Sequence, residues 1–239
     1  MRMRRNASAA LVVMVGIGLI AGYGPGVPAG AAAGVDPADF TNPQPNPYFP
    51  LEPGTVSILR GSEDGGHLLN RSRVTASTKV ILAVTTTVVA DLLFRDGVLE
   101  EKTADWYAAD NSGNVWYFGE RTAVYNRKGQ VVSREGSWQA GVKGAVAGMI
   151  MPANPGPTDA YRQEFYKGHA EDQAWIVARH QVARIPYGNV NQVVRSYEWT
   201  RLEPGVVSLK LYGPGLGIIR EKDVAGGTEL LELVKVEHK

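Results

Sequence analysis

Residues 105–120 read DWYAADNSGNVWYFGE, and the reading of this stretch decides the fold. Five turn formers, Asp110-Asn111-Ser112-Gly113-Asn114, sit between two runs of aromatic and β-favouring residues. With a glycine available for positive φ, this pattern predicts a hairpin. Setting Ala109 opposite Val115 pairs Ala108 with Trp116, Tyr107 with Tyr117 and Trp106 with Phe118. Side chains alternate across a strand. Trp106, Ala108, Trp116 and Phe118 therefore share one face, and Asp105, Tyr107, Ala109, Val115 and Tyr117 the other. The first face is dry and aromatic, while the second carries two phenols and a carboxylate. A sheet with one face in water rarely needs bulky aromatics on both. Either the tyrosines pack with their hydroxyls reaching solvent, or the second face is also enclosed, in a barrel or curved sheet around a cavity.

Working outward, strands alternate with tight turns. Strands are expected over 55–60, 68–75, 79–94 and 98–109, with turns at 61–66 and 95–97. The run Val84-Thr85-Thr86-Thr87-Val88-Val89 is strongly β-forming and a poor helix interior. Strands over 121–125 and 130–135 continue the zigzag. Residues 136–158, GSWQAGVKGAVAGMIMPANPGPT, are rich in Gly, Ala and Pro and read as a long ordered loop. In it, Trp138, Met149, Ile150 and Met151 either cap one end of a barrel or cover a sheet edge. Strands resume over 160–166, 170–185, 193–201, 205–212, 217–221 and 229–236. The expected architecture is all-β: an antiparallel meander forming a barrel or strongly curved half-barrel, calycin- or lipocalin-like, in a single domain over 54–239.

Two segments precede that domain. Residues 1–33 have the pattern of an export signal: Arg2, Arg4 and Arg5, an apolar run over 9–21, then small residues with Ala-x-Ala sites. The apolar run is short of the roughly 20 residues a membrane span needs, so no stable membrane insertion is expected after cleavage. Residues 34–53 form a proline-rich lead-in, with Pro37, Pro43, Pro45, Pro47, Pro50 and Pro53, extended rather than helical. Its Tyr48, Phe49 and Leu51 are expected to pin it to the domain.

The chain has 25 basic and 24 acidic side chains, and three of the basic ones lie in the signal. The remainder is nearly neutral, which argues against nucleic acid as a partner. The absence of cysteine removes disulfides, thiolate metal sites, cysteine nucleophiles and lipid attachment through cysteine. The expected location is secreted or extracytoplasmic.

Five stretches carry a family likeness: PYFPLEPGT at 47–55, DWYAADNSGNVWYFGE at 105–120, GSWQAGVKGAVAGMIMPANP at 136–155, YRQEFYKGHAED at 161–172 and EWTRLEPGVVSLKLYGPGLGIIRE at 198–221. On these the chain resembles a widespread family of predicted exported bacterial proteins of curved-sheet or barrel type. The resemblance implies fold and location, and no catalytic residues.

Motifs for specific chemistry mostly fail. Asp110, Ser112 and Asn114 resemble the start of a calcium loop, but Val115 and Arg121 stand where an EF-hand has Gly and Glu. The glycines of 213–217 lead into a strand, not a helix, which excludes a nucleotide fingerprint. No serine-hydrolase elbow or zinc-helix motif is present. No metal or cofactor is expected. The candidate catalytic residues are Asp105, Glu164 and His169, carboxylates and a histidine suited to general acid–base work. Glu164 with Arg162 has the plainer reading of an ion-pair ladder. The candidate ligand-binding residues are Tyr107, Tyr117, Trp138, Met149 and Met151, for a small apolar or aromatic molecule. The alternatives are an enzyme (cyclase, isomerase or hydrolase) on the same scaffold, or an envelope structural or interaction protein.

Overall fold

The computed structural model describes residues 34–239, so the export signal read over 1–33 lies outside the described residues. After a short 3-10 helix (Pro37–Phe40), the strands are β1 (Thr55–Glu63), β2 (Gly66–Ile81), β3 (Val84–Arg95), β4 (Val98–Ala109) and β5 (Val115–Tyr125). Then come the short β6 (Val131–Ser133), β7 (Trp138–Gln139), β8 (Val146–Met151), β9 (Ala160–Arg162) and β10 (Glu164–Phe165). The last five are β11 (Asp172–Ile185), β12 (Gly188–Thr200), β13 (Val207–Gly213), β14 (Gly217–Ala225) and β15 (Leu230–His238). Every ladder is antiparallel, in the order β10-β8-β5-β4-β3-β2-β1-β15-β14-β13-β12-β11-β9, with β6 and β7 also on β5.

The two ends of this order are neighbours in sequence. Only Gln163 separates β9 from β10, so the chain steps from one sheet edge to the other across a single residue. That step closes the sheet into a near-complete barrel. At the seam, Gln163 N–H donates to the Asp172 carbonyl at 2.8 Å. On the other side the backbone of Gly148 lies against it. A Cβ at Gly148 would fall 2.4 Å from the Gln163 carbonyl group, a backbone clash that only glycine avoids. Gly148→Ala should therefore push the seam apart and cost about 1–3 kcal/mol of stability, the usual range for overpacking. Urea unfolding checks this, and a loss within experimental error would contradict the closure.

The hairpins β1–β2, β2–β3 and β3–β4 turn on residue pairs with positive φ: Asp64-Gly65, Leu82-Ala83 and Asp96-Gly97. The first and last are standard hairpin chemistry. Leu82-Ala83 is not, and it splits the single strand expected over 79–94 into the end of β2 and all of β3. Residues 136–158 also depart from the expected loop. They contribute β7 and β8, both paired with β5, so much of this segment is barrel wall. Its glycines serve close approach and turning rather than looseness, as Gly148 shows.

The lead-in is held along its length. Phe40 meets Trp116 and Phe118 edge-on, at 6.3 and 5.6 Å between ring centroids, covering the dry outer face of the central hairpin. Asn46 is buried, and its amide donates to the carbonyls of Gly113 and Pro152 at 2.8 and 3.0 Å. From there the chain crosses the barrel mouth. Tyr48 Oη donates to the Gln192 carbonyl at 3.0 Å, and Gly215 N–H to the Pro47 carbonyl at 2.7 Å. Residues 46–51 are thus a strap tied to both sides of the opening.

Candidate functional site

The central hairpin pairs as its sequence suggests at Tyr107–Tyr117, Ala108–Trp116 and Ala109–Val115. Beyond Tyr117 it departs. A bulge at Phe118-Gly119 sets Asp105 opposite Glu120, with Gly119 at φ +131°. A bulge inserts one residue and changes the face on which the rest of the strand projects. Glu120 consequently turns to the same side as Asp105 and Tyr107, the barrel interior.

Under the strap lies a cavity of about 130 Å³. Its mouth and upper wall are apolar: Phe49, Leu51, Val74, Val89, Leu216 and Ile218. Its floor is polar, with Ser57, Ser72, Asp91, Asp105, Lys210 and Glu221. Tyr107 joins the two halves, edge-on to Phe49 at 4.9 Å and stacked on Tyr117 at 4.7 Å. A second recess of about 20 Å³, room for roughly one water, lies beside it. The recess is bounded by Tyr107, Tyr117, Glu164, Asp172, Glu198 and Lys210. Tyr107 and Lys210 border both spaces.

The interior is strongly acidic. Lys210 Nζ sits 3.1 Å from Glu198 and 3.3 Å from Glu221. Burial works against the ammonium, but the two carboxylates outweigh it and raise its pKa. Burial likewise opposes ionisation of Glu198. Lys210 and hydrogen bonds from Tyr212, Ser196 and Gln163 overcome that and hold it below the usual carboxylate range. Asp91, Asp105, Glu120 and Glu164 have no cationic partner in hydrogen-bond reach. Asp91, bonded by Asn70 Nδ2 at 2.6 Å, is pushed up to about 6 by burial. Asp91 lines the cavity. Asp105, which accepts from Tyr117 Oη at 2.7 Å, is raised further by burial and by the neighbouring Asp91. Glu120 is raised by burial and by Asp105 and Glu164, and Glu164 by burial and Asp172. Asp172 is pushed up to about 7 by burial, opposed by Lys210. A chain of carboxyls with raised pKa values runs from Asp91 through Asp105, Glu120 and Glu164 to Asp172.

The structure brings together Asp105, Tyr107, Tyr117 and Glu164 of the residues singled out in the sequence. Trp138 is buried edge-on to Tyr117 at 5.3 Å, behind the recess rather than on its wall. Met151 is fully buried in the core, and Met149 lies opposite Trp116. Neither lines the cavity, whereas Ile150 between them does. His169 is at the surface, stacked on Tyr166 and 3.1 Å from Glu135, and does not meet Glu164. Asp110 is consumed by its own loop. Burial would raise its carboxyl, but hydrogen bonds from Trp116, Asn114 and Ser112 more than offset that and lower it. Among the described residues, no three His, Asp or Glu side chains gather as a metal site, and no helix is long and apolar enough to cross a membrane. Sequence reasoning missed Asp91, Glu120, Lys210 and Glu221.

No family model matches the chain, and no curated protein matches it in sequence. Two solved structures are similar. One, from Bacteroides fragilis, is of a protein described as exported and having a YmcC-like fold. It is 15% identical, with a TM-score of 0.46, and the alignment covers 80% of this chain and 98% of that one. The other, from Parabacteroides distasonis, is of a protein described as a lipoprotein. It is 10% identical, with a TM-score of 0.43, and the alignment covers 81% of this chain and 100% of that one.

Proposed function

We propose that this is an exported binding protein that encloses a small molecule with an apolar or aromatic body inside its barrel. The observation that carries the reading is the cavity itself, crossed above by the strap and walled by Phe49, Val74, Val89 and Tyr107. Its volume of about 130 Å³ is close to the roughly 150 Å³ that suffices for benzene in an apolar protein cavity. One ring or a short aliphatic chain fits. Export rests on the basic, apolar and small-residue pattern of residues 1–33.

Titration of the protein with benzyl alcohol, followed by amide NMR, tests the reading. Shifts should concentrate at Val74, Val89, Tyr107 and the strap over 46–51. They should vanish in Val89→Phe, whose larger side chain occupies the cavity. Shifts confined to the outer surface, or unchanged by Val89→Phe, would overturn it.

A further inference from the structure

The floor of the cavity says more about the guest than its walls do. Asp91, Asp105 and Glu221 face it, with Lys210 as its one cationic side chain, and Lys210 is already bound to Glu198 and Glu221. The donors to Asp91 and Asp105 are neutral: the Asn70 amide and Ser72 hydroxyl at Asp91, and the Tyr117 hydroxyl at Asp105. Next to Asp105, Glu120 is 3% exposed and its Oε2 has no hydrogen-bond partner. The cavity floor therefore sets three carboxyls against a single ammonium that is already paired, so any ionised carboxyl there is short of donors and of positive charge.

From this geometry we infer that the guest is a small primary amine, its apolar body against Phe49, Val74 and Tyr107 and its ammonium group on Asp91 and Asp105. The inference rests on the cavity-binding reading and specifies it. An ammonium offers three donors and no acceptor, which matches a floor of carboxyls. An anion would meet those carboxyls, and a neutral alcohol would leave the charge deficit in place.

The groups facing Asp91 and Asp105 fix the pH response. From β4 and β5 these are Glu101, Tyr107, Tyr117 and Glu120. From β13 and β14 they are Lys210, Tyr212 and Glu221. Without a guest, burial raises both carboxyls, Asp91 to about 6 and Asp105 further assisted by Asp91, so each holds its proton more tightly than a solvated carboxyl. Docking an ammonium favours their ionised form, so binding releases a proton to solvent while the amine keeps its own.

Isothermal titration with benzylamine, benzyl alcohol and benzoate in buffers of different ionisation enthalpy tests this. Benzylamine should bind about tenfold or more tighter than benzyl alcohol at neutral pH, in line with a charge-assisted hydrogen bond. It should release protons and weaken as the pH falls below 6. Benzoate should not bind. Asp91→Asn with Asp105→Asn should abolish the preference for the amine while leaving benzyl alcohol binding in place, which also shows the variant is folded. Equal binding of amine and alcohol, or no proton release, overturns the amine assignment and leaves the binding reading standing. If none of the three binds, the binding reading itself fails.

Discussion

Lys210→Met should be among the most destabilising single changes in the barrel, costing about 3–5 kcal/mol, the range for breaking a buried ion pair by removing one partner. Lys210 and its two carboxylate partners are each at most 9% exposed. Removing the ammonium leaves Glu198 and Glu221 facing each other in a space that already holds Asp172 and Asp91. Methionine keeps the length of the side chain, so packing loss is a minor part of the effect. The carboxyls can escape only by taking up protons. The deficit should therefore shrink as the pH falls from 8 to 5, and Glu198→Gln in the Lys210→Met background should recover part of it. Chemical denaturation at several pH values measures this. A loss under about 1 kcal/mol, the size expected of a solvated surface pair, would contradict the buried geometry.

The second large effect is on the pH dependence of stability. Asp91, Asp105, Glu120, Glu164 and Asp172 all have carboxyls raised above the ordinary range by burial first, to about 6 at Asp91 and about 7 at Asp172. An unfolded chain releases these protons near pH 4. Between there and about 7 the folded protein holds more protons than the unfolded one, so stability falls as the pH rises. For Asp91 alone the penalty above pH 6 is about 3 kcal/mol. Glu198 and Asp110 run the other way. Their lowered carboxyls stabilise the fold above the ordinary range, a contribution lost as the pH drops through their folded values. The melting temperature should therefore peak in mildly acidic solution and decline toward pH 8. Glu120→Gln should raise it at pH 8 and flatten the profile. A melting temperature that is flat or rising from pH 5 to 8 would mean the interior acids are solvated.

The barrel was legible where local chemistry and burial agree. Asp64-Gly65 and Asp96-Gly97 announce their hairpins. Pro-Gly turns at 52–55 and 203–206 each close on a glycine of positive φ, with Thr55 N–H donating to Glu52 and Val206 N–H to Glu203 at 3.2 Å. Leu82-Ala83 gives no such sign. Both residues adopt positive φ because the flanking strands pair on either side, an override of local preference by the ladder.

The site was harder to read for a different reason. In β13, Val-Ser-Leu-Lys-Leu-Tyr, alternation suggests Leu209 and Leu211 for the core and Lys210 for water. The structure bears this out for Leu211 and departs from it at Lys210. Leu211 is buried in a cluster with Val190, Val193 and Ile219 from the β11–β12 and β13–β14 hairpins, and Lys210 points into the barrel. Glu101, Thr103 and Asp105 of β4 are buried in the same way, at positions a half-exposed sheet would give to solvent. Polar residues that line a lumen carry the same period-two signal as residues that face water. Only the aromatics at Tyr107 and Tyr117 distinguished the two, and the Gly119 bulge hid Glu120 beside them.

Native mass spectrometry of the protein purified from its own host, recorded intact and after denaturation, tests the central claim most directly. An enclosed guest predicts additional mass in the intact spectrum that disappears on unfolding. A single polypeptide mass under both conditions would contradict it.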